Sequence, residues 1–301
     1  MSRPILSILK VNKVDRDSFS QLEKVEMKSL KQVLFQRLVG DRRVESENPA
    51  EIWPDWRGKD ESWLFMSPHD DDIVCGCGLT FLSALNIGVK TSAGVVTNGK
   101  MGYCRPEQKE TIAAIRRDEC AASFKMLGLP EENLHFLHYD DGNLNRQSGR
   151  RFDDSDAPYV IAGASGLQNS FVWLLRKVRP TRLFLPSVTD LHPDHKFTNT
   201  EMMISIFHAQ GGIWPELGEP IAEIPHLYEY ATYSNLLSPP SIRVCVPDEM
   251  LELKLNSIYA YKSQEQIELT IEMQRRGGTK EYLREVRFDL FEPEKCAPLF
   301  E

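Results

Sequence analysis

The chain has 301 residues, of which 41% are hydrophobic and 27% are charged, and its formal net charge is -8 at pH 7. This length can bury a large core in one α/β domain or in two smaller domains, and we favour one domain with additions. The acidic balance argues against nucleic acid as a partner, because nonspecific binding to phosphates depends on clustered Lys and Arg. No apolar run reaches the roughly 20 residues of a membrane span, and the first residues lack the order of a secretory signal. We therefore expect a cytoplasmic protein with small-molecule or protein partners.

The N-terminal part, residues 1–60, is predicted to be a helical extension. Ser18 can cap a helix whose apolar positions run from Leu22 to Leu38, at a spacing that gives one broad apolar face. A polar link follows this helix. We assign residues 61–301 to the main domain.

Two tryptophans, Trp53 and Trp56, lie in the polar link. Their indoles can stack on a sugar ring or pack against the core. Packing is favoured, because tryptophan contributes a large apolar surface to protein cores.

From Trp63 onward, apolar stretches alternate with amphipathic ones. They predict strands over residues 63–66, 90–97, 134–138, 182–186, 226–232 and 242–246, and helices over residues 73–86, 109–127, 167–178 and 248–261. This alternation is typical of right-handed crossovers between parallel strands. We predict an α/β fold with a Rossmann-like, mainly parallel sheet flanked by helices.

The polar stretch at residues 140–166 is long for a connection in a compact domain and contains Arg146, Arg150 and Arg151. Loops of this length are often lids or mobile segments. The alternative is a solvated excursion that does not contact a ligand.

Two short polar motifs each follow a predicted strand. They are Pro-His-Asp-Asp-Asp at residues 68–72 and His-Pro-Asp-His at residues 192–195. Open parallel sheets bind ligands beyond the carboxyl ends of their strands, where both motifs fall. Imidazole nitrogens and carboxylate oxygens suit Zn²⁺, and a catalytic site with three protein ligands leaves a position for water.

The spacing within the motifs selects candidate ligands. His69 and Asp72 are three residues apart and can bind one ion while Asp71 points elsewhere. The alternative for this motif is a helix N-cap cluster, since Asp is favoured there. His195 is the candidate third ligand, and His192 stands three residues before it. The two motifs together favour a metal site over structural histidines.

These motifs resemble those of the LmbE-like, or PIG-L, family of zinc-dependent de-N-acetylases, which have the forms His-Pro-Asp-Asp and His-Pro-Asp-His. Lesser matches are Thr97-Asn98-Gly99 with Gly102, Arg116 with Glu119, Leu127-Gly128, Tyr139 to Gly142, and Ser263-Gln264 after Lys254. The resemblance covers roughly residues 60–290. The sequence departs from the family at Asp70, where proline is usual, and at Ile73, where glutamate is common. Asp70 adds a carboxylate that can strengthen metal binding or pair with a nearby cation.

The resemblance implies an LmbE-like fold and assigns roles to the motif residues. His69, Asp72 and His195 would be the zinc ligands. Asp71 would be the general base that takes a proton from water, and His192 would steady the oxyanion.

The resemblance also suggests that Arg116 and Asp141 contact polar substituents of a sugar. Arg116 can instead pair with Glu119 or another carboxylate on its helix. Asp194 can orient a ring nitrogen of a neighbouring histidine, or it can cap a helix.

The implied function is zinc-dependent hydrolysis of an N-acetyl or other N-acyl group, from an N-acetylglucosamine-containing small molecule or glycoconjugate. One alternative is a zinc amidase that acts on a non-sugar amide, and another is a noncatalytic sugar-binding protein of the same fold. Fe²⁺ or another divalent ion can occupy the same nitrogen and oxygen ligands.

Overall fold

The computed structural model describes residues 33–152 and 159–300. The strands in these ranges are β1 (Leu34–Val39), β2 (Arg42–Ser46), β3 (Ser62–Ser67), β4 (Lys90–Thr97), β5 (Leu134–Tyr139), β6 (Arg151–Phe152), β7 (Ala164–Ser165), β8 (Arg182–Pro186), β9 (His226–Tyr230), β10 (Ile242–Cys245) and β11 (Lys280–Val286). The α-helices are α1 (Asp72–Asn86), α2 (Ile112–Leu127), α3 (Leu167–Val178), α4 (Pro193–Gln210), α5 (Asp248–Ile258) and α6 (Ile267–Gly277).

One large sheet organises the described residues, with the strand order β2-β1-β10-β11-β9-β8-β3-β4-β5. The strands from β9 to β5 are parallel, and Phe65 in the central strand pairs with Ala93 on one side and Phe184 on the other. The strands from β9 to β2 are antiparallel. The predicted α/β fold with a mainly parallel, Rossmann-like core is confirmed. The alternation of strands and helices does not predict the antiparallel half.

Helices cover both faces of the parallel core. On one face, Met66 belongs to the same buried cluster as Leu175 of α3 and Ile206 of α4. On the other face, Phe65 lies 5.0 Å from Phe81 of α1, ring centre to ring centre. Parallel strands need cover on both faces because both faces are apolar. None of the helices within the described ranges combines the length and apolar character needed to cross a membrane.

The predicted helix ending at Leu38 is wrong in its last turn, where the structure has strand β1. This strand pairs with β10, and Gln36 and Arg37 lie opposite Arg243 and Ile242. Pairing with the sheet edge satisfies the backbone, and such tertiary contacts override a local helical pattern. The earlier part of the predicted helix lies outside the described residues. The domain boundary at residue 60 stays a prediction, although β1 and β2 join the sheet.

The two tryptophans of the polar link pack against the start of the central strand. Trp53 is 1% exposed, and its ring centre lies 4.9 Å from that of Trp63 and 5.1 Å from that of Tyr228. Trp56 lies 6.4 Å from Trp63 in an edge-on arrangement. The packing interpretation is confirmed, and both indoles lie at the opposite end of the central strand from the polar motifs.

The predicted polar loop is described over residues 140–152 and 159–166, and both parts contact the domain. Leu144 is buried, and Gly149 donates its backbone N–H to Glu201 of α4 at 2.9 Å. Strands β6 and β7 pair as a small antiparallel two-stranded sheet. A lid function for this stretch stays a prediction.

Candidate active site

Sheet topology brings the two polar motifs together. From the central strand β3 the chain continues to β4 and β5 on one side, and then returns to β8 on the other side. Open parallel sheets typically have a ligand-binding crevice where the strand order reverses, which here is beyond the carboxyl ends of β3 and β8. The first motif leads from β3 into α1, with Asp71 at the helix N-cap. The second motif begins α4, with His192 at the N-cap.

Three candidate ligand atoms form a compact triangle in this crevice. Asp72 Oδ2 lies 3.0 Å from His69 Nδ1 and 3.2 Å from His195 Nε2, and the two nitrogens are 3.3 Å apart. Ligand atoms about 2.0–2.1 Å from a tetrahedral ion are about 3.3 Å from one another. All three side chains are buried. The three atoms therefore have the spacing of a set that binds one ion.

The partners of His69 explain why a cation fits between these atoms. His69 Nε2 lies 3.2 Å from Asp141 Oδ1 and 3.5 Å from Asp194 Oδ2. A hydrogen on Nε2 satisfies these carboxylates and leaves the Nδ1 lone pair facing Asp72 Oδ2. Two electron-pair donors at 3.0 Å repel each other unless a proton or metal ion lies between them. Asp72 Oδ1 is also buried without a hydrogen-bond partner among the described residues.

The pKa shifts of His69 and Asp72 arise from the same close contacts between histidine rings and carboxylates. Burial lowers the pKa of His69, but the surrounding carboxylates, Asp72 foremost, outweigh it and raise that pKa well above its ordinary value. Burial raises the pKa of Asp72, but His195 and His69 outweigh burial and lower it. In the absence of an ion, a proton on His69 therefore provides the positive charge that this site requires.

Two overlapping sets of described side chains can also hold an ion: His69 with His192 and His195, and His69 with Asp141 and Asp194. Both include His69. We favour the set with Asp72, because its three atoms are nearly equidistant and each histidine has a carboxylate beside its other ring nitrogen.

Asp141 and Asp194 act on His69 from a loop and from α4. Asp194 Oδ2 and Oδ1 accept backbone N–H groups from Gly142 at 2.7 Å and Leu144 at 3.3 Å. Asp194 thus tethers the loop after β5 to the histidine. Asp141, predicted to contact a sugar, is buried, faces His69, and also accepts the Met101 N–H at 3.1 Å.

Asp190 is a site residue that the sequence analysis missed. Its side chain is fully buried, and Oδ2 lies 3.5 Å from His195 Nδ1. The same carboxylate accepts backbone N–H groups from His192 at 3.1 Å and Tyr233 at 3.2 Å. The one feature of the sequence that could have identified Asp190 is its position two residues before the second motif. A carboxylate commonly orients a histidine that binds metal, so an aspartate so near the motif is a candidate for that role.

His192 has a defined tautomer. Its Nδ1 accepts the Asp194 backbone N–H at 3.2 Å, which leaves the hydrogen on Nε2 when the ring is neutral. Burial, followed by the neighbouring His69, lowers the pKa of His192 and favours that neutral form. The ring is half-buried, with its centre 4.5 Å from that of His69. His192 can therefore donate a hydrogen bond at the edge of the candidate metal site.

Asp71 is the most accessible of the three consecutive carboxylates. Its side chain is 26% exposed, and Oδ2 lies 3.6 Å from Arg116 Nη2. Burial raises the pKa of Asp71, Arg116 opposes this rise, and Asp72 adds to it. The raised pKa makes the Asp71 carboxylate a better proton acceptor than an ordinary aspartate.

Arg116 does not lie open to the crevice as a sugar contact would. It is 3% exposed, and its Nη2 lies 2.7 Å from Asp70 Oδ1. Its predicted alternative partner, Glu119, instead accepts from the backbone N–H and hydroxyl of Ser263 at 2.8 and 2.7 Å. Burial and the neighbouring Asp71 raise the pKa of Asp70 to about 7, against the effect of Arg116.

A family model described as GlcNAc-PI de-N-acetylase (PIG-L) matches residues 64–205, which include both polar motifs. No curated protein sequence gives a significant match.

Solved structures share the fold. The N,N'-diacetylchitobiose deacetylase of Pyrococcus horikoshii, in complex with its inhibitor MPG, has a TM-score of 0.59 and 24% identity, over 76% of this chain and 85% of that one. The conserved protein TT1542 of Thermus thermophilus has a TM-score of 0.57 and 26% identity, over 77% and 98%. GalB, the 4-carboxy-2-hydroxymuconate hydratase of Pseudomonas putida, has a TM-score of 0.54 and 17% identity, over 77% and 98%. The resemblance seen in the sequence is confirmed: residues 64–205 match the PIG-L family model, and the fold is shared with the diacetylchitobiose deacetylase and TT1542.

Proposed function

We propose that this protein is a zinc-dependent hydrolase that removes the N-acetyl group of an N-acetylglucosamine-containing small molecule or glycoconjugate. The observation that carries the proposal is the buried triangle of His69, Asp72 and His195, with the partly exposed Asp71 next to Asp72 in the chain. Such a set suits Zn²⁺ and leaves a position for water.

Zinc held by these three residues would lower the pKa of water and polarise the acyl oxygen. Asp71 accepts the proton of the attacking water and returns it to the departing amine, which its raised pKa favours. The Nε2 hydrogen of His192 donates to the acyl oxygen as negative charge develops there. Asp190 and Asp194 keep the histidine rings in orientation.

The sugar substrate is supported by similarity. The family model is described by a de-N-acetylase of a glucosamine derivative, and one protein of the same fold is a diacetylchitobiose deacetylase. The fold also occurs in a hydratase, so fold alone does not decide the reaction. The proposal therefore depends on the site residues and on a direct assay.

The test measures zinc content and acetate release with a panel of N-acetylated amino sugars and non-sugar N-acetyl amides. We expect about one zinc per chain, acetate release from amino sugars, loss of zinc in His195→Ala, and retained zinc with at least a roughly hundredfold lower kcat in Asp71→Asn. Asp118→Asn is the matched control, because Asp118 is a carboxylate exposed on α2.

Absence of zinc binding would refute the metal assignment. Acetate release only from the non-sugar amides would refute the sugar substrate, and full activity in Asp71→Asn would refute the role of the base. Binding of the sugars without any acetate release would identify a noncatalytic protein.

A further inference from the structure

An ion pair at the first motif is specific to this chain's departure from the family pattern. Asp70 replaces the usual proline, and its Oδ1 lies 2.7 Å from Arg116 Nη2. Each of the two side chains is 4% exposed. The guanidinium of Arg116 is therefore already occupied by a carboxylate from the loop that carries the candidate ligands.

The surrounding residues fix this pair on several sides. The Tyr261 hydroxyl donates to the Asp70 carbonyl at 2.6 Å, and the Tyr261 ring centre lies 5.6 Å from the guanidinium carbon. Gly99 has a φ of +65°, and a side chain there would place Cβ 3.2 Å from Asp70 Oδ1 and 3.3 Å from Arg116 Cβ. The glycine thus combines a left-handed conformation with a close approach to both partners.

The same guanidinium also faces the proposed general base. Arg116 Nη2 lies 3.6 Å from Asp71 Oδ2, and the Gln264 amide lies beside both groups. In one amide orientation the Gln264 nitrogen is 3.4 Å from Asp71 Oδ2, and in the other its oxygen accepts from Arg116. Arg116 thus bridges two consecutive carboxylates, one buried and one that reaches the crevice.

We infer that Asp70 and Arg116 are positioning residues that hold the Asp71 carboxylate in place, and this inference rests on the proposed role of Asp71 as general base. It follows that Arg116 does not bind substrate. A buried ion pair contributes little net stability, because burial removes the hydration of both charges. Its presence here is therefore better explained by orientation of the neighbouring Asp71 carboxylate. Arginine suits this task because its guanidinium is planar and always charged, so that Nη2 can donate to Asp70 and still face Asp71 at 3.6 Å.

The experiment compares Asp70→Asn, Arg116→Gln and the double variant in the zinc-loaded protein, with Arg117→Gln as a matched control on the exposed face of α2. Steady-state kinetics use the acetylated amino sugar that the wild-type protein hydrolyses fastest. We expect kcat to fall about 10- to 100-fold in each single variant, with KM changed by less than about threefold. The double variant should lose no more than the worse single variant, since the two residues act as a unit. The control should keep both constants.

A rise in KM with unchanged kcat in Arg116→Gln would overturn the inference, because it would identify a substrate-binding arginine. Wild-type kinetics in Asp70→Asn would overturn it too.

A second measurement separates this inference from the proposed function. The measurement compares crystal structures of the zinc-loaded wild-type and Asp70→Asn proteins. The Asp71 carboxylate of the variant should lie about 1 Å or more from its wild-type position, a shift large enough to impair catalysis. An unmoved Asp71 would overturn the positioning role, whether or not the wild-type protein hydrolyses any substrate. The double variant provides the same comparison if the single substitution prevents folding, because it leaves neither charge unpaired.

Discussion

Asp190 supports one candidate zinc ligand without contacting the ion position, so Asp190→Asn tests how far the buried carboxylates tune the site. In the wild-type protein its Oδ2 lies 3.5 Å from His195 Nδ1 and 3.2 Å from the Tyr233 backbone nitrogen, and its Oδ1 accepts from His192. Asparagine has nearly the same shape and keeps one acceptor. It removes the negative charge 3.5 Å from His195 Nδ1, a charge that would increase the basicity of the other ring nitrogen.

The expected loss follows from this role. Carboxylates that orient a metal-binding histidine typically contribute about 10- to 100-fold in metal affinity, or about 1.4–2.8 kcal/mol. The estimate applies here because Asp190 is fully buried and solvent cannot replace its charge. We expect Asp190→Asn to weaken zinc binding by this factor and to leave the fold intact, since the backbone hydrogen bond from His192 can remain.

The assay is a zinc titration in competition with a chromophoric chelator, at constant neutral pH and fixed ionic strength. Asp118→Asn again serves as control, because its side chain is 72% exposed and far from the histidines in the sequence. Zinc affinity close to that of the wild type in Asp190→Asn would refute the argument that this carboxylate orients His195. Equal losses in both variants would point to a general charge effect.

Three further outcomes are expected. Zinc affinity should fall about tenfold for each pH unit below the raised pKa of His69, because zinc must displace the proton held there, and a flat profile in a pH series of the same titration would contradict this. His192→Ala should lower kcat about 10²- to 10³-fold while zinc content stays at wild-type level, and loss of zinc would instead make His192 a ligand. Phe65→Ala should lower the free energy of unfolding by about 3–5 kcal/mol in urea, since the ring is fully buried and stacked 4.2 Å from Phe184, and a loss below about 1 kcal/mol would show that the core collapses around the cavity.

The sequence predicts the parallel half of the fold because its inner strands β3, β4 and β8 are short runs whose side chains are almost all buried. Strand β4 and helix α3 have the predicted bounds, and helix α2 ends at the predicted Gly128, which has a φ of 91°. The antiparallel half depends on pairing between distant segments. Leu34 lies opposite Cys245 across β1 and β10, and no local pattern in either segment specifies that partner.

The site was predictable in part for the same kind of reason. His69, Asp72 and His195 lie in compact motifs directly after strands, so topology alone places them near one another. Their roles as zinc ligands stay proposals that the assays above test. The Asp70–Arg116 pair was harder to predict, because the two residues are 46 positions apart in the chain and meet only in the folded protein. Asp190 was also harder to predict, because its role depends on how one loop turns its carboxylate toward His195.

Proteins of this fold include both a deacetylase and a hydratase, so the fold does not identify the reaction. The side chains that amide hydrolysis requires are the better guide. Amide hydrolysis needs a base that takes a proton from water and then protonates the departing nitrogen, and a donor for the acyl oxygen. Asp71, with a pKa raised by burial, suits the first task, and the Nε2 hydrogen of His192 suits the second. If Arg116 positions Asp71, as inferred above, substrate recognition depends on other groups beside the site.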